Sequence, residues 1–115
     1  MSSNVTYKYI RQNPDIHTYI KNADAAVKAQ GYTEHSFAHV EKVADTVKMI
    51  LEGLGYDERK VELGMIAAYL HDIGNVINRI DHAQSGAVMA FRLLDNLNMP
   101  AEEICDIISA IGNHD

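Results

Sequence analysis

Apolar residues recur every three or four positions along most of this chain, the spacing of one buried helix face. After Asn13-Pro14-Asp15, where Pro14 suits a first helical turn and Asp15 complements the helix dipole, Ile16, Tyr19, Ile20, Ala23, Ala26 and Val27 follow that spacing until Gly31. A second stripe of Val40, Val43, Ala44, Val47, Ile50, Leu51 and Leu54 predicts a helix over 36–54, with Glu41, Asp45 and Lys48 largely off it. Gly53 and Gly55 punctuate its end, and Asp57 is placed to cap a third helix over 58–71. Residues 65–70 are apolar nearly all round, so this third helix is expected to be buried on several sides, with Gly74 breaking it. Asp81 is a plausible cap for a fourth helix over 82–97, whose apolar face is read as Val88, Phe91, Leu94 and Leu97 with Met89 and Leu93 at its margins. Pro100 opens a fifth, in which Ile104, Ile107, Ile108 and Ile111 repeat. The first dozen residues read as polar and irregular. No period-two alternation and no internal repeat appears, so the expected fold is all-α, one compact bundle of about five helices in a single 115-residue domain.

Composition narrows the setting. Hydrophobic residues make up 47% and charged residues 23%, an ordinary globular balance. No stretch approaches the ~20 apolar residues of a membrane span. The N-terminal MSSNVTYKYIRQ has no apolar core of signal-peptide length and Cys105 is the single cysteine, so no membrane partner and a cytoplasmic location are expected. Cys105 falls in the apolar series of the fifth helix and is expected to be packed. A net charge of −6 without a Lys/Arg cluster argues against a surface for nucleic-acid duplexes. Such a chain can still take an anionic substrate where cations sit in its pocket.

The histidines change the picture. There are six, at positions 17, 35, 39, 71, 82 and 114. His39 lies near the start of the second helix, four residues before Val43 and so on or beside the buried stripe. His71 ends the third helix and is followed at once by Asp72; His82 begins the fourth helix and His114 ends the fifth. Taken singly, a histidine at a helix end is more often a dipole partner or a surface residue than a ligand. Together these helix ends could surround one cavity with imidazoles and a carboxylate, a nitrogen and oxygen set that suits Mn, Fe, Zn, Co or Ni better than Ca. His17, away from these segments, is read as structural or exposed.

The segments HVEKVA at 39–44, LHDIGN at 70–75, DHAQSGAVMA at 81–90 and IGNHD at 111–115 stand in the order and with the separations of the HD-domain superfamily of metal-dependent phosphohydrolases. The chain resembles that family from about Tyr32 to its end. The resemblance implies that His39, His71 and Asp72 are ligands of a first divalent transition metal, that Asp72 can bridge to a second ion, and that His82 and His114 match the ligands of that second ion. It implies hydrolysis of a nucleotide or other small phosphate ester by metal-activated water, with Asp72 as the catalytic residue.

Two departures stand out. Family members usually supply a last metal-binding aspartate from a helix well downstream of the His114 position, whereas this sequence ends at Asp115, where some members have a second consecutive histidine. The domain is therefore expected to lack its last helices here. Asn75 stands where many members carry a lysine, which leaves Lys42, three residues after His39, and Arg79 as candidate cations for a substrate phosphate. His35, four residues before His39, is a candidate to orient or bind that phosphate. Two other functions fit the same residues: a noncatalytic HD module for ligand sensing or protein interaction, and a di-iron oxygenase of related architecture.

Overall fold

The segment that has no polar side in the sequence, residues 65–70, becomes the middle of the molecule. The computed structural model describes residues 5–29, 37–76 and 81–113, apart from the side chains of Val27, Lys28 and Val76. The elements in order are α1 (Tyr7–Gln12), α2 (Pro14–Ala29), α3 (Phe37–Gly53), α4 (Glu58–Leu70), a 3-10 turn (Ile73–Val76), α5 (His82–Asn96) and α6 (Ala101–Gly112), with no strand among the described residues. Ile66, Ala67, Ala68, Tyr69 and Leu70 are all buried, and α4 packs against α1, α3 and α6 at once. A helix apolar all round has nowhere to sit except between others.

The bundle is all-α, as the spacing predicts, but the described residues hold six α-helices. The added one is α1, in the stretch read as irregular. Thr6 caps it by accepting a hydrogen bond from Tyr9 N–H, the Tyr7 N–H donates to the Glu62 carboxylate at 2.9 Å, and Ile10 is buried. One buried apolar residue, a local cap and one hydrogen bond to a distant carboxylate are too little periodic signal to read in advance.

Several predicted boundaries have a visible cause. The Asn13 side chain accepts from Asp15 N–H and Ile16 N–H at the start of α2, and Asp57 accepts from Lys60 N–H at the start of α4. Helix α3 ends with Gly55 at φ +85°, Gly55 N–H donating to Glu52 O and Tyr56 N–H to Leu51 O; α5 ends the same way, with Asn98 at φ +63°, Asn98 N–H to Asp95 O and Met99 N–H to Leu94 O. Asp81 differs from expectation. It precedes α5 in the left-handed conformation, φ 59°, and its side chain makes no cap hydrogen bond.

Three predicted faces also change. On α3, Val40 and Ala44 are buried, but Ile50 and Leu54, placed on the apolar stripe, are exposed near its C-terminal end. On α5 the buried residues are Gly86, Ala90 and Leu94, while Val88 is 70% and Phe91 49% exposed. Cys105 on α6 is exposed rather than packed, because Ile104, Ile107 and Ile111 carry the buried side of that helix.

Candidate metal centre

The site is built from three helix ends. Helix α4 stops at Leu70, and His71 takes the C-cap position in helical conformation. The ring Nδ1–H of His71 and its backbone N–H both reach the Ala68 carbonyl. That fixes the ring: with Nδ1 committed as a donor, neutral His71 presents the lone pair of Nε2. Asp72 follows, 6% exposed, and opens the 3-10 turn. His39 comes from the first turn of α3 and His82 from the first residue of α5.

The turn can approach α5 because two glycines face each other. A Cβ on Gly74 would lie 2.0 Å from the His82 carbonyl oxygen and 2.5 Å from Gly86 N, and one on Gly86 would lie 3.3 Å from Gly74 N. Gly74 therefore serves less as a helix breaker than as a point of backbone contact. The same contact sets the rotation of α5, turning Gly86, Ala90 and Leu94 inward and Val88 outward, and it delivers His82 to Asp72.

The Asp72 carboxylate lies between histidines. Its Oδ2 is 3.1 Å from His71 Nε2 and 3.9 Å from His39 Nε2, and its Oδ1 is 3.2 Å from His82 Nε2. The His39 and His71 rings are 5.7 Å apart between centroids. One ligand atom each from His39, His71 and Asp72 falls within 4.8 Å of the others. His82 stands on the opposite oxygen, the arrangement that a carboxylate bridging two ions would need. Burial lowers the His71 pKa, but hydrogen bonding to Asp72, the Asp72 charge and the Ala68 carbonyl outweigh it, so the value lies above that of an ordinary histidine.

This arrangement fits a metal ion. A lone pair on His71 Nε2 faces a carboxylate oxygen at 3.1 Å, and two acceptors at that distance need a cation, either a proton or a metal, to hold them. The donors are imidazole nitrogen and carboxylate oxygen, which favours a transition ion over Ca or Mg. One wall is apolar: a cleft of about 300 Å³ lined by Val43, Val47, Ala67, Ala68 and Ala110 runs up to His71.

Of the residues singled out in the sequence, the structure gathers His39, His71, Asp72 and His82. Lys42 is exposed on α3. His35, Arg79, His114 and Asp115 lie outside the described residues. His17 is exposed, as expected, and stacks on Phe37 with centroids 4.4 Å apart. Sequence reasoning missed the Gly74–Gly86 contact, the Ala68 carbonyl behind His71, and the burial of Asn75. The glycines were visible, but their pairing depends on how the turn packs against α5.

Comparison with known proteins agrees with this geometry. An uncharacterized protein of Methanocaldococcus jannaschii is 27% identical across 79% of this chain, and the match covers 41% of that protein's own length. No solved structure matches the chain. The profile of the HD domain matches residues 36–114, a span that contains His39, His71, Asp72 and His82 and most of the bundle, and the chain belongs to the HD-domain family.

Proposed function

We propose that this chain is a metal-dependent phosphohydrolase acting on a nucleotide or another small phosphate ester. The HD-domain family is generally hydrolytic and usually binds divalent metals. The observation that carries the reading here is the buried Asp72 carboxylate with imidazole nitrogens at both of its oxygens. His39, His71 and Asp72 would hold a first ion, and His82 with the Oδ1 side of Asp72 a second. A bound divalent ion lowers the pKa of water towards neutrality and polarises a phosphoryl oxygen.

The chain's own residues supply orientation. Ala68 O fixes the His71 tautomer so that Nε2 faces the site. The apolar wall beside His71 keeps the local dielectric low, which strengthens charge interactions with a phosphoryl group. His82, 13% exposed at its side chain, presents Nε2 to the Oδ1 side of Asp72, where it would hold the second ion. Lys42 and, outside the described residues, His35, Arg79 and His114 remain the candidates for contacts to phosphate and further ligation.

One observation favours a second reading, a noncatalytic module that senses a ligand. Asn75, where the family resemblance leads one to expect a lysine, is neutral and buried. The test is to strip the protein with chelator, reload it with Mn, Co, Ni, Zn or Fe, and assay phosphate release from nucleotides and aryl phosphate mono- and diesters. Turnover with a redox-inactive ion, abolished in Asp72→Ala, supports the hydrolase and excludes oxygenase chemistry. Stoichiometric metal binding without turnover on any ester supports the sensing module instead.

A further inference from the structure

Asn75 is 1% exposed, as buried as the core residues Ile10, Ile107 and Ile111. Its side chain does not face the surface. Both its backbone N–H and its side-chain Nδ2 donate to one acceptor, the carbonyl oxygen of Asp72, each at 3.0 Å. Its Oδ1 is buried and has no hydrogen-bond partner among the described residues. The reverse amide orientation would set two oxygens against each other, so the donor assignment follows from chemistry.

The arrangement repeats the one just before it. His71 holds the Ala68 carbonyl through its backbone and its ring; Asn75 holds the Asp72 carbonyl through its backbone and its amide. In both cases a residue reaches three positions back, and in both the residue held or holding is a candidate ligand. An unsatisfied buried amide oxygen costs stability that an apolar residue of similar size would not, so packing alone does not account for Asn75. With two donors on its carbonyl, the Asp72 backbone has little freedom to rotate, which fixes the point from which its carboxylate reaches His71 and His82.

We propose that Asn75 is a positioning residue for Asp72, and that its amide sets the affinity and geometry of metal binding without touching the ion or the substrate. This rests on the metal reading above. It also explains how a position expected to meet phosphate serves the site from inside the turn.

Threonine and valine have nearly the same shape, and threonine hydroxyls in this chain already donate to carbonyls one turn back, Thr46 to Lys42 and Thr18 to Pro14, both at 3.0 Å. The experiment therefore compares Asn75→Thr with Asn75→Val, using metal-free protein titrated calorimetrically with Co²⁺ and Mn²⁺, the visible spectrum of the Co²⁺ form, and thermal unfolding without metal. Outer partners of metal ligands are worth about 10–100-fold in affinity. Asn75→Val is expected to weaken binding by about 10-fold or more and to alter the Co²⁺ spectrum, while Asn75→Thr stays within about 3-fold of the natural chain. Equal affinities and spectra for the two variants, whatever their stabilities, overturn the role of Asn75 and leave the metal site standing. Failure of the natural chain to bind either ion overturns the metal reading and this inference with it. Should either variant fail to fold, Asn75→Ser against Asn75→Ala gives the same contrast.

Discussion

Two polar clusters tie this bundle together, and they are built in opposite ways. Around Arg59 on α4, the guanidinium donates to Glu103 of α6 through Nε and Nη2 at 2.8 and 2.6 Å, and through Nη1 to Glu62 at 2.8 Å and to the Val5 carbonyl at 2.9 Å. Donors meet acceptors and positive charge meets negative, so the cluster is complete as it stands. Hydrogen bonding to Glu103 raises the Arg59 pKa, and hydrogen bonding to Arg59 lowers that of Glu103. Around Asp72 one carboxylate lies against three imidazoles, and His71, with Nδ1 committed to the Ala68 carbonyl, needs a proton or a metal ion between its Nε2 and Asp72 Oδ2. The first cluster joins helices; the second, with Asp72 more deeply buried, is the candidate metal centre.

The comparison breaks most sharply if each cluster is altered in turn. Asp72→Ala is expected to weaken Mn²⁺ or Co²⁺ binding by more than about 100-fold, beyond what removal of an outer partner costs, with helical circular dichroism unchanged. Next, Gly74→Ala forces a Cβ against the His82 carbonyl and should destabilise the fold by about 2–3 kcal/mol in urea unfolding, at the upper end of overpacking effects. Arg59→Met leaves Glu62 and Glu103 without their shared donor and is expected to cost about 1–3 kcal/mol while metal affinity stays as it was. Loss of metal binding in that variant would show that the two clusters are not separate.

Acid should act on the two clusters through different groups. The Glu103 carboxyl titrates below its ordinary range, so its contribution to stability is present above that range and is lost as pH falls through the lowered value. Glu103→Gln should flatten the acid limb of the stability curve, a change of well under about 1 kcal/mol for so exposed a pair. The His71 pKa is raised, so protons compete with a metal from a higher pH than at an ordinary histidine. Metal affinity should begin to fall while Glu103 is still fully ionised, and a calorimetric series against pH would show whether the two losses separate.

Much of the site was legible before the fold. His39, His71, Asp72 and His82 sit at helix ends that the apolar spacing and the glycines mark out, and the structure brings those residues together. What the sequence hid are contacts whose strength comes from close backbone approach. Val88 and Phe91 look like the inner face of α5 by hydropathy, yet Gly86 lies inward because a glycine there lets the turn at Gly74 press against the helix, and Ala90 and Leu94 share its side. Ile50 and Leu54 continue the α3 stripe in sequence but are exposed in the fold. Helix α1 has a local cap in Thr6, but its hydrogen bond to Glu62 comes from more than fifty residues away and no apolar periodicity announces it. Asn75 reads as a lost cation in the sequence and as a buried clasp on Asp72 in the structure.

The most direct test is anomalous diffraction from crystals of the natural chain grown with Co²⁺ or Mn²⁺, collected at the metal's absorption edge. A peak within ligand distance of His39 Nε2, His71 Nε2 and Asp72 Oδ2 is the expected result, with any second peak on the His82 side of the carboxylate. Crystals soaked at saturating metal that show no peak there, or a peak only at other residues, would contradict the assignment of this cluster as the metal centre.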